Sequence, residues 1–262
     1  MKEIKHYADQ LVKAAQTRKF ISPLRSEIEE GGIEFAYEIQ AFNNERRMDQ
    51  GSRMVGRKIG LTSKVVQKQL GVTQPDFGSL FHDMEVLNGQ EISVNQLHQP
   101  KVEAELAIVI GEDLDLEQMS IVDIMGAIDY VLPAIEIVGS RIENWDIKIW
   151  DTVADNASAS HFVLGHTPKT LDEIDIIHTE MRLYNHGGLI SQGRGSDCLG
   201  SPINALFWLA NTMLNLDEPL QEGDVILTGA LGKMVEVQAG DMIRADFSGI
   251  GSVSVGFNDV VL

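Results

Sequence analysis

The segment KVEAELAIVIG at 101–111 constrains the fold more than any other stretch of the chain. Its valine and isoleucine content and its unbroken apolar end suit a buried strand. In a strand side chains alternate with period two, so Glu103 and Glu105 project from one face. On a helix of ~3.6 residues per turn they would diverge by about 200°. Two adjacent carboxylates at the entrance to a buried strand repel each other and lose hydration, so they need compensation. Two readings stay open for the pair: glutamates on a half-exposed strand, or oxygen ligands of a hard divalent cation such as Mg²⁺ or Mn²⁺.

A second apolar run, PAIEIVGSRI at 133–142, carries a third acid, Glu136. Alone it could form a structural ion pair with Arg141. Three acids set in apolar strand-like runs make a metal site the better account. GRKIGLTS at 56–63 places Lys58 in a short apolar strand beside glycines. Lys58 is either a solvated surface residue or a functional one. In the second case it counters a carboxylate or, with its pKa lowered by desolvation, moves protons. QPDFG at 74–78 offers Asp76, which a turn also explains through side-chain hydrogen bonding.

The remaining grammar predicts a mixed α+β chain. Ile4, Tyr7, Leu11 and Ala14 recur at helical spacing over 2–18, as do Phe35, Ile39 and Phe42 over 32–50, with breakers at Ser22-Pro23 and Gly31-Gly32 between them. From Met54 onward short β-type runs predominate, at 54–60, 101–110, 129–139, 178–185, 224–228, 241–247 and 252–257. Helices interrupt them at 120–127 and 202–214. The division is a helical part over 1–52 and a β-rich core over 53–262 within one domain, 1–262. GRGSDCLG at 193–200 lacks the Lys-Ser/Thr ending of a phosphate loop and a preceding strand, so it reads as a flexible connection.

Charge and cysteine content narrow the function. Lys plus Arg number 21 against 39 Asp plus Glu, a net charge of −18 that disfavours nucleic acid and anionic membranes as partners. An anionic substrate is repelled at long range too, so its site needs a local cation. Cys198 is the one cysteine, which excludes internal disulfides and cysteine clusters and fits a reducing cytoplasm. It has no basic neighbour beyond Arg194 to activate it as a nucleophile. The N-terminal stretch has charges every few residues and no uninterrupted apolar run long enough for a signal peptide, and no later run approaches ~18 apolar residues. The histidines show no HExxH spacing, which removes zinc-peptidase chemistry.

Taken with QLGVTQPDFGSLF, DTVADNAS, VILTGALG and GIGSVSVGF, these motifs resemble the 2-keto-4-pentenoate hydratases of the fumarylacetoacetate hydrolase superfamily nearly end to end. The resemblance implies a rolled, strand-rich fumarylacetoacetase-like core with the helical part packed on it, and a homo-oligomer able to join a pathway-enzyme complex. It implies that Glu103, Glu105 and Glu136 hold Mg²⁺ or Mn²⁺ and that Lys58 and Asp76 serve acid-base or substrate-contact roles. Thr228-Gly229 would lie near the substrate carboxylate, and Ser160 would line the pocket. The implied reaction hydrates 2-hydroxypenta-2,4-dienoate to 4-hydroxy-2-oxopentanoate in meta-cleavage aromatic catabolism. Rival readings are a 2-oxo-heptenedioate hydratase, a 4-oxalocrotonate decarboxylase, or a non-catalytic partner that stabilises such a decarboxylase.

Overall fold

Strand pairing organises the molecule. The structure, a computed structural model, describes residues 2–26, 32–63, 67 and 72–260. Gly31 of the first breaker and residues 69–71 of the QLGVTQPDFGSLF stretch lie outside them. The helices are α1 (Lys2–Thr17), α2 (Ile33–Asp49), α3 (Ile121–Gly126), α4 (Ile149–Ala154) and α5 (Pro202–Asn215). The strands are β1 (Met54–Gly60), β2 (Asp76–Phe81), β3 (Glu91–Ser93), β4 (Lys101–Ile110), β5 (Ile128–Val138) and β6 (Ala159–Leu164). They continue as β7 (Glu180–Asn185), β8 (Gly188–Arg194), β9 (Val225–Leu227), β10 (Val235–Glu236), β11 (Met242–Phe247) and β12 (Gly251–Asn258).

One sheet runs β2-β1-β9-β4-β5-β6, with β10 added beside β4; the other runs β3-β12-β11-β7-β8. The period-two pleat of β4 decides what each face does. Its even residues, Val102 to Ile110, join Val131, Ile135 and Ile137 of β5 and the inner faces of β7, β11 and β12 in the main core. Its odd residues Ala107 and Val109 meet Leu132, Ala134, Leu80, Phe81, Phe162 and Leu227 in a second, smaller cluster on the other face. Burial on both faces explains why this segment reads as a continuous apolar run. Glu103 and Glu105 continue the odd face beyond that smaller cluster, so the strand that anchors the core also presents the carboxylates.

Local chemistry starts and stops the helices. Ser201 caps α5 by accepting from Ile203 N at 3.2 Å, and Pro202 occupies the first turn, where its missing N–H costs nothing. Ser120 and Asp123 cap α3 reciprocally, Asp123 Oδ2 accepting from Ser120 N at 2.7 Å. The N-terminal helices bury Tyr7, Leu11, Ala36 and Ile39 against Val153 and Ala154 of α4. Gln40 and Tyr37 then tie them to β2 and α4. Gln40 Nε2 donates to Phe77 O at 3.1 Å and Val153 O at 2.8 Å, while Tyr37 stacks on Phe77 with ring centroids 4.5 Å apart.

The expected helices and the seven expected strands all form, with ends displaced by at most two residues. Strands β2, β3, β6, β8 and β10 and helix α4 were not among those expectations. The expectation that no strand precedes GRGSDCLG is corrected: β8 runs directly into it. As an edge strand paired only with β7, β8 leaves most of its residues exposed and lacks the apolar alternation that marks a strand in sequence. The connection after it is packed rather than loose, with Gly195 and Cys198 buried and Leu199 N donating to Thr62 O at 3.1 Å.

Because Gln40 is buried and satisfies two carbonyls, Gln40→Leu, of similar volume but without a donor, leaves both unpaired. We expect urea unfolding at fixed pH to register a loss of ~1–3 kcal/mol. A loss under ~0.5 kcal/mol, the size of a neutral surface change, would show that the link between α2 and β2 carries no stability.

Candidate metal centre

Register brings the three acids together. Glu103 of β4 lies directly opposite Glu136 of β5, and residues paired across an antiparallel ladder share a face. Glu105 is two residues along on that face. Each glutamate offers a carboxylate oxygen within 4.8 Å of the other two. Glu105 and Glu136 are fully buried and Glu103 is half-buried. Glu105 Oε2 accepts from Gly229 N at 2.8 Å. Among the described residues, Glu105 Oε1 and Glu136 Oε2 have no hydrogen-bond donor.

Such a cluster is electrostatically incomplete. Burial, with the neighbouring Glu136 charge adding to it, pushes Glu103 up to about 7. Burial, Glu136 and Glu103 hold Glu105 well above the usual carboxylate range. Burial raises Glu136 as well, against the opposing pull of Lys58. Acids that take up protons to relieve one another, and buried oxygens without donors, are what a divalent cation with oxygen ligands would satisfy. The donor set is all carboxylate, with no sulfur or imidazole, and so fits a hard ion.

Lys58 closes the cluster from β1. Its Nζ lies 3.2 Å from Glu136 Oε1 in an ion pair outside hydrogen-bond geometry, and it donates to Ala157 O at 3.0 Å. Burial alone would lower its pKa, but the surrounding Glu136, Asp76, Glu103 and Glu105 outweigh it and raise the value. The expectation of a pKa lowered by desolvation is therefore corrected. In the metal-free protein the carboxylates thus hold Lys58 in its charged form. Glu136 accordingly pairs with Lys58. Arg141 instead binds Asp155, with N to Oδ2 at 2.9 Å and Nη2 to the carbonyl at 2.6 Å.

Asp76 opens β2 opposite Gly60. A Cβ at Gly60 would fall 2.1 Å from Asp76 Oδ1 and 3.5 Å from Lys58 Nζ, so the bare glycine makes room for this carboxylate beside the ammonium. Burial raises Asp76 to about 6, with Lys58 pulling the other way. Gly229 is equally constrained: its φ of +107° is left-handed, and a Cβ would lie 2.3 Å from Thr62 Oγ1. Thr228, buried beside it, gives its hydroxyl to Leu106 O at 2.9 Å, which leaves that donor engaged within the protein.

Ser160 stands apart from this group. It occupies the irregularity where β6 slips register against β5, and its Oγ meets His161 Nδ1 at 3.0 Å. His161, held down to about 4 chiefly by burial, lines a cavity of about 350 Å³ with Asp83, Glu85 and Glu91, none of them in the carboxylate cluster. Cys198 is inert: burial raises its thiol to about 12, and Sγ donates to Thr228 O at 2.9 Å. One feature of the centre went unassigned in the sequence. The DTVADNAS stretch supplies the Ala157 carbonyl that holds Lys58, and the tolerance of Asn for left-handed backbone was its only local signal.

A mixed α+β fold with three clustered carboxylates that could hold a cation narrows the class of protein, and comparison identifies the family. Residues 53–258 match the family model described as fumarylacetoacetate (FAA) hydrolase C-terminal, and the chain belongs to that family. It is 50% identical over 250 residues to a 2-keto-4-pentenoate hydratase of Paraburkholderia xenovorans, covering 95% of this chain and 93% of that one. It is 49% identical over 256 residues to a 2-keto-4-pentenoate hydratase of Paraburkholderia phymatum, covering 98% of each. Among solved structures, 4-oxalocrotonate decarboxylase from Pseudomonas putida G7, complexed with magnesium and adipate, superposes with a TM-score of 0.95 at 31% identity over 98% of this chain and 97% of that one. The family inferred from the motifs is thus borne out. Among the described residues, no helix is long and apolar enough to cross a membrane.

Metal binding at these glutamates has to displace protons. With Glu103 titrating near about 7 in the metal-free protein, Mn²⁺ affinity should weaken as pH falls from about 8 to about 5, by up to about tenfold per pH unit for each proton displaced. Calorimetric titration across that range measures it. An affinity independent of pH would mean that the ion binds elsewhere.

Proposed function

We propose that the chain is a divalent-metal-dependent hydro-lyase that hydrates 2-hydroxypenta-2,4-dienoate to 4-hydroxy-2-oxopentanoate. The observation that carries the reading is the convergence of Glu103, Glu105 and Glu136 within 4.8 Å beside Lys58, in a chain half identical to 2-keto-4-pentenoate hydratases. Glu103, Glu105 and Glu136 would hold Mg²⁺ or Mn²⁺, ions that the all-oxygen donor set supports. When bound, the cation supplies Lewis-acid polarisation of the substrate's 2-oxygen. The proposal extends to a cytoplasmic homo-oligomer acting in aromatic catabolism, which rests on the family resemblance.

The side chains divide the remaining work. Lys58, kept charged by its carboxylate neighbours, offsets the charge of an incoming acid and of the enolate oxygen. Asp76, near about 6, can exchange a proton close to neutral pH. In the first stage the 2-hydroxyl loses its proton and C5 gains one, giving an α,β-unsaturated 2-oxo acid. In the second, water gives its hydroxyl to C4 and a proton to C3. The net change is one added water with no oxidation or reduction. We assign Asp76 to the proton transfer at C5. Thr228-Gly229 we assign to the wall of the substrate site through the Gly229 backbone, and Ser160 to its outer lining.

The structural likeness to a decarboxylase supports a second reading, release of CO₂ from 4-oxalocrotonate, but the hydratases share far more of the sequence. The two differ in product. With Mg²⁺ present we expect dienol absorbance to disappear as 4-hydroxy-2-oxopentanoate accumulates. Glu105→Gln should cut kcat by about 10³ or more while leaving the circular dichroism spectrum unchanged, since several kcal/mol of transition-state stabilisation depend on the ion. Turnover that survives both chelation and this substitution would reject the metal, and CO₂ from oxalocrotonate without dienol hydration would favour the decarboxylase.

A further inference from the structure

Between α4 and β6 the backbone does something costly. Asn156, Ala157 and Ser158 have φ of 55°, 49° and 59°, three consecutive non-glycine residues in the left-handed region. Such a run persists only where its surroundings over-determine it. Here every flank is tied. Asn156 Oδ1 accepts from Ser79 N at 2.7 Å and its Nδ2 donates to Ser79 O at 2.9 Å, so one side chain pairs with β2 much as a neighbouring strand would. Ser158 Oγ meets Thr152 Oγ1 at 3.1 Å, and Ser158 O accepts from Gly139 N at 2.9 Å. The preceding residue, Asp155, is gripped by Arg141. Gly78 leaves the space the turn needs, since a Cβ there would lie 2.4 Å from Asn156 O and 3.2 Å from Ala157 Cβ.

The left-handed turn aims one group at the metal centre. Ala157 O receives Lys58 Nζ at 3.0 Å, on a strand where Lys58 itself lies opposite Gly78. Lysine carries a flexible four-carbon stem, and its contact with Glu136 lies outside hydrogen-bond geometry, so the hydrogen bond to Ala157 O is what directs the ammonium. We propose that Asn156 is a positioning residue: by clamping the left-handed turn to Ser79 it holds the Ala157 carbonyl where it fixes Lys58 Nζ against the carboxylate cluster. This deepens the functional reading above and rests on it for the role of Lys58, but not for the geometry.

Two perturbations reach the clamp by different routes. Asn156→Gly keeps the left-handed backbone accessible and deletes both side-chain hydrogen bonds. Gly78→Ala deletes no hydrogen bond and pushes the turn away from β2. In both variants we expect kcat/KM with 2-hydroxypenta-2,4-dienoate to fall about tenfold or more, the scale of a misplaced catalytic group, while Mn²⁺ affinity stays within about threefold. Loss of kcat/KM and Mn²⁺ binding together would mark a merely structural role and overturn the proposal, as would a kcat/KM within about twofold of the parent chain in both variants. A second readout needs no turnover: reductive methylation of Lys58 in the metal-free protein, followed by mass spectrometry. The clamp predicts slow labelling in the parent chain and labelling at least about tenfold faster in either variant that folds. Equal rates would refute it even if the parent chain hydrates no dienoate, whereas faster labelling with an inactive parent would sustain the clamp and sink the functional reading.

Discussion

A single ammonium, Lys58, is buried among four carboxylates, and the rest of the molecule accommodates that imbalance. Removing one ion from water costs several kcal/mol, and acids packed side by side add repulsion to the loss of hydration. The protein's own answers are local and incomplete. Lys58 faces Glu136, the Gly229 N–H meets Glu105, and Gly60 makes way for Asp76. The remaining deficit appears as raised carboxylate pKa values and as buried oxygens without donors. Either protons or a cation must make it good, and in a cluster so placed the cation does so without quenching the ligands.

The scaffold makes this arrangement tolerable by giving one largely buried strand two jobs. One face of β4 packs into the main core with β5 and the second sheet, so the strand cannot shift without opening that core. The other face carries Glu103 and Glu105 directly opposite the acid-bearing stretch of β5. A slip of one residue in that pairing would turn the carboxylates of the slipped strand into the hydrophobic core, a cost that pins the register. The N-terminal helices contribute from a distance. Gln40 and Tyr37 hold Phe77, the residue after Asp76, and so fix the start of β2 beside Lys58.

What could be read from sequence was what depends on local periodicity. Met54–Gly60 and Lys101–Ile110 match the expected strands residue for residue, and the period of two put Glu103 and Glu105 on one face before any partner was known. The elements that escaped lack such a signal. β8 is a largely exposed edge strand, and β2 begins in a Pro-Asp pair that reads as a turn. The charge of Lys58 escaped for a different reason. Its neighbours come from β2, β4 and β5, so desolvation, a property of its own burial, was legible in kind while the four opposing charges were not. The same holds for Ala157, whose carbonyl is functional only because a left-handed turn aims it across to another strand.

Charge also sets the order in which the centre can fill. With all its acids ionised, the group of Glu103, Glu105, Glu136 and Asp76 around Lys58 carries three negative charges, inside a chain whose net charge is −18. An anionic oxo acid approaching that site is repelled both at long range and at contact. A divalent cation held by the three glutamates would remove two of those three charges. An incoming carboxylate would then meet a far less negative site, with the Lys58 ammonium among its walls. The acidic composition that disfavours nucleic acids and anionic membranes thus also disfavours an anionic substrate until the charge of the three glutamates brought together by the β4–β5 register is offset.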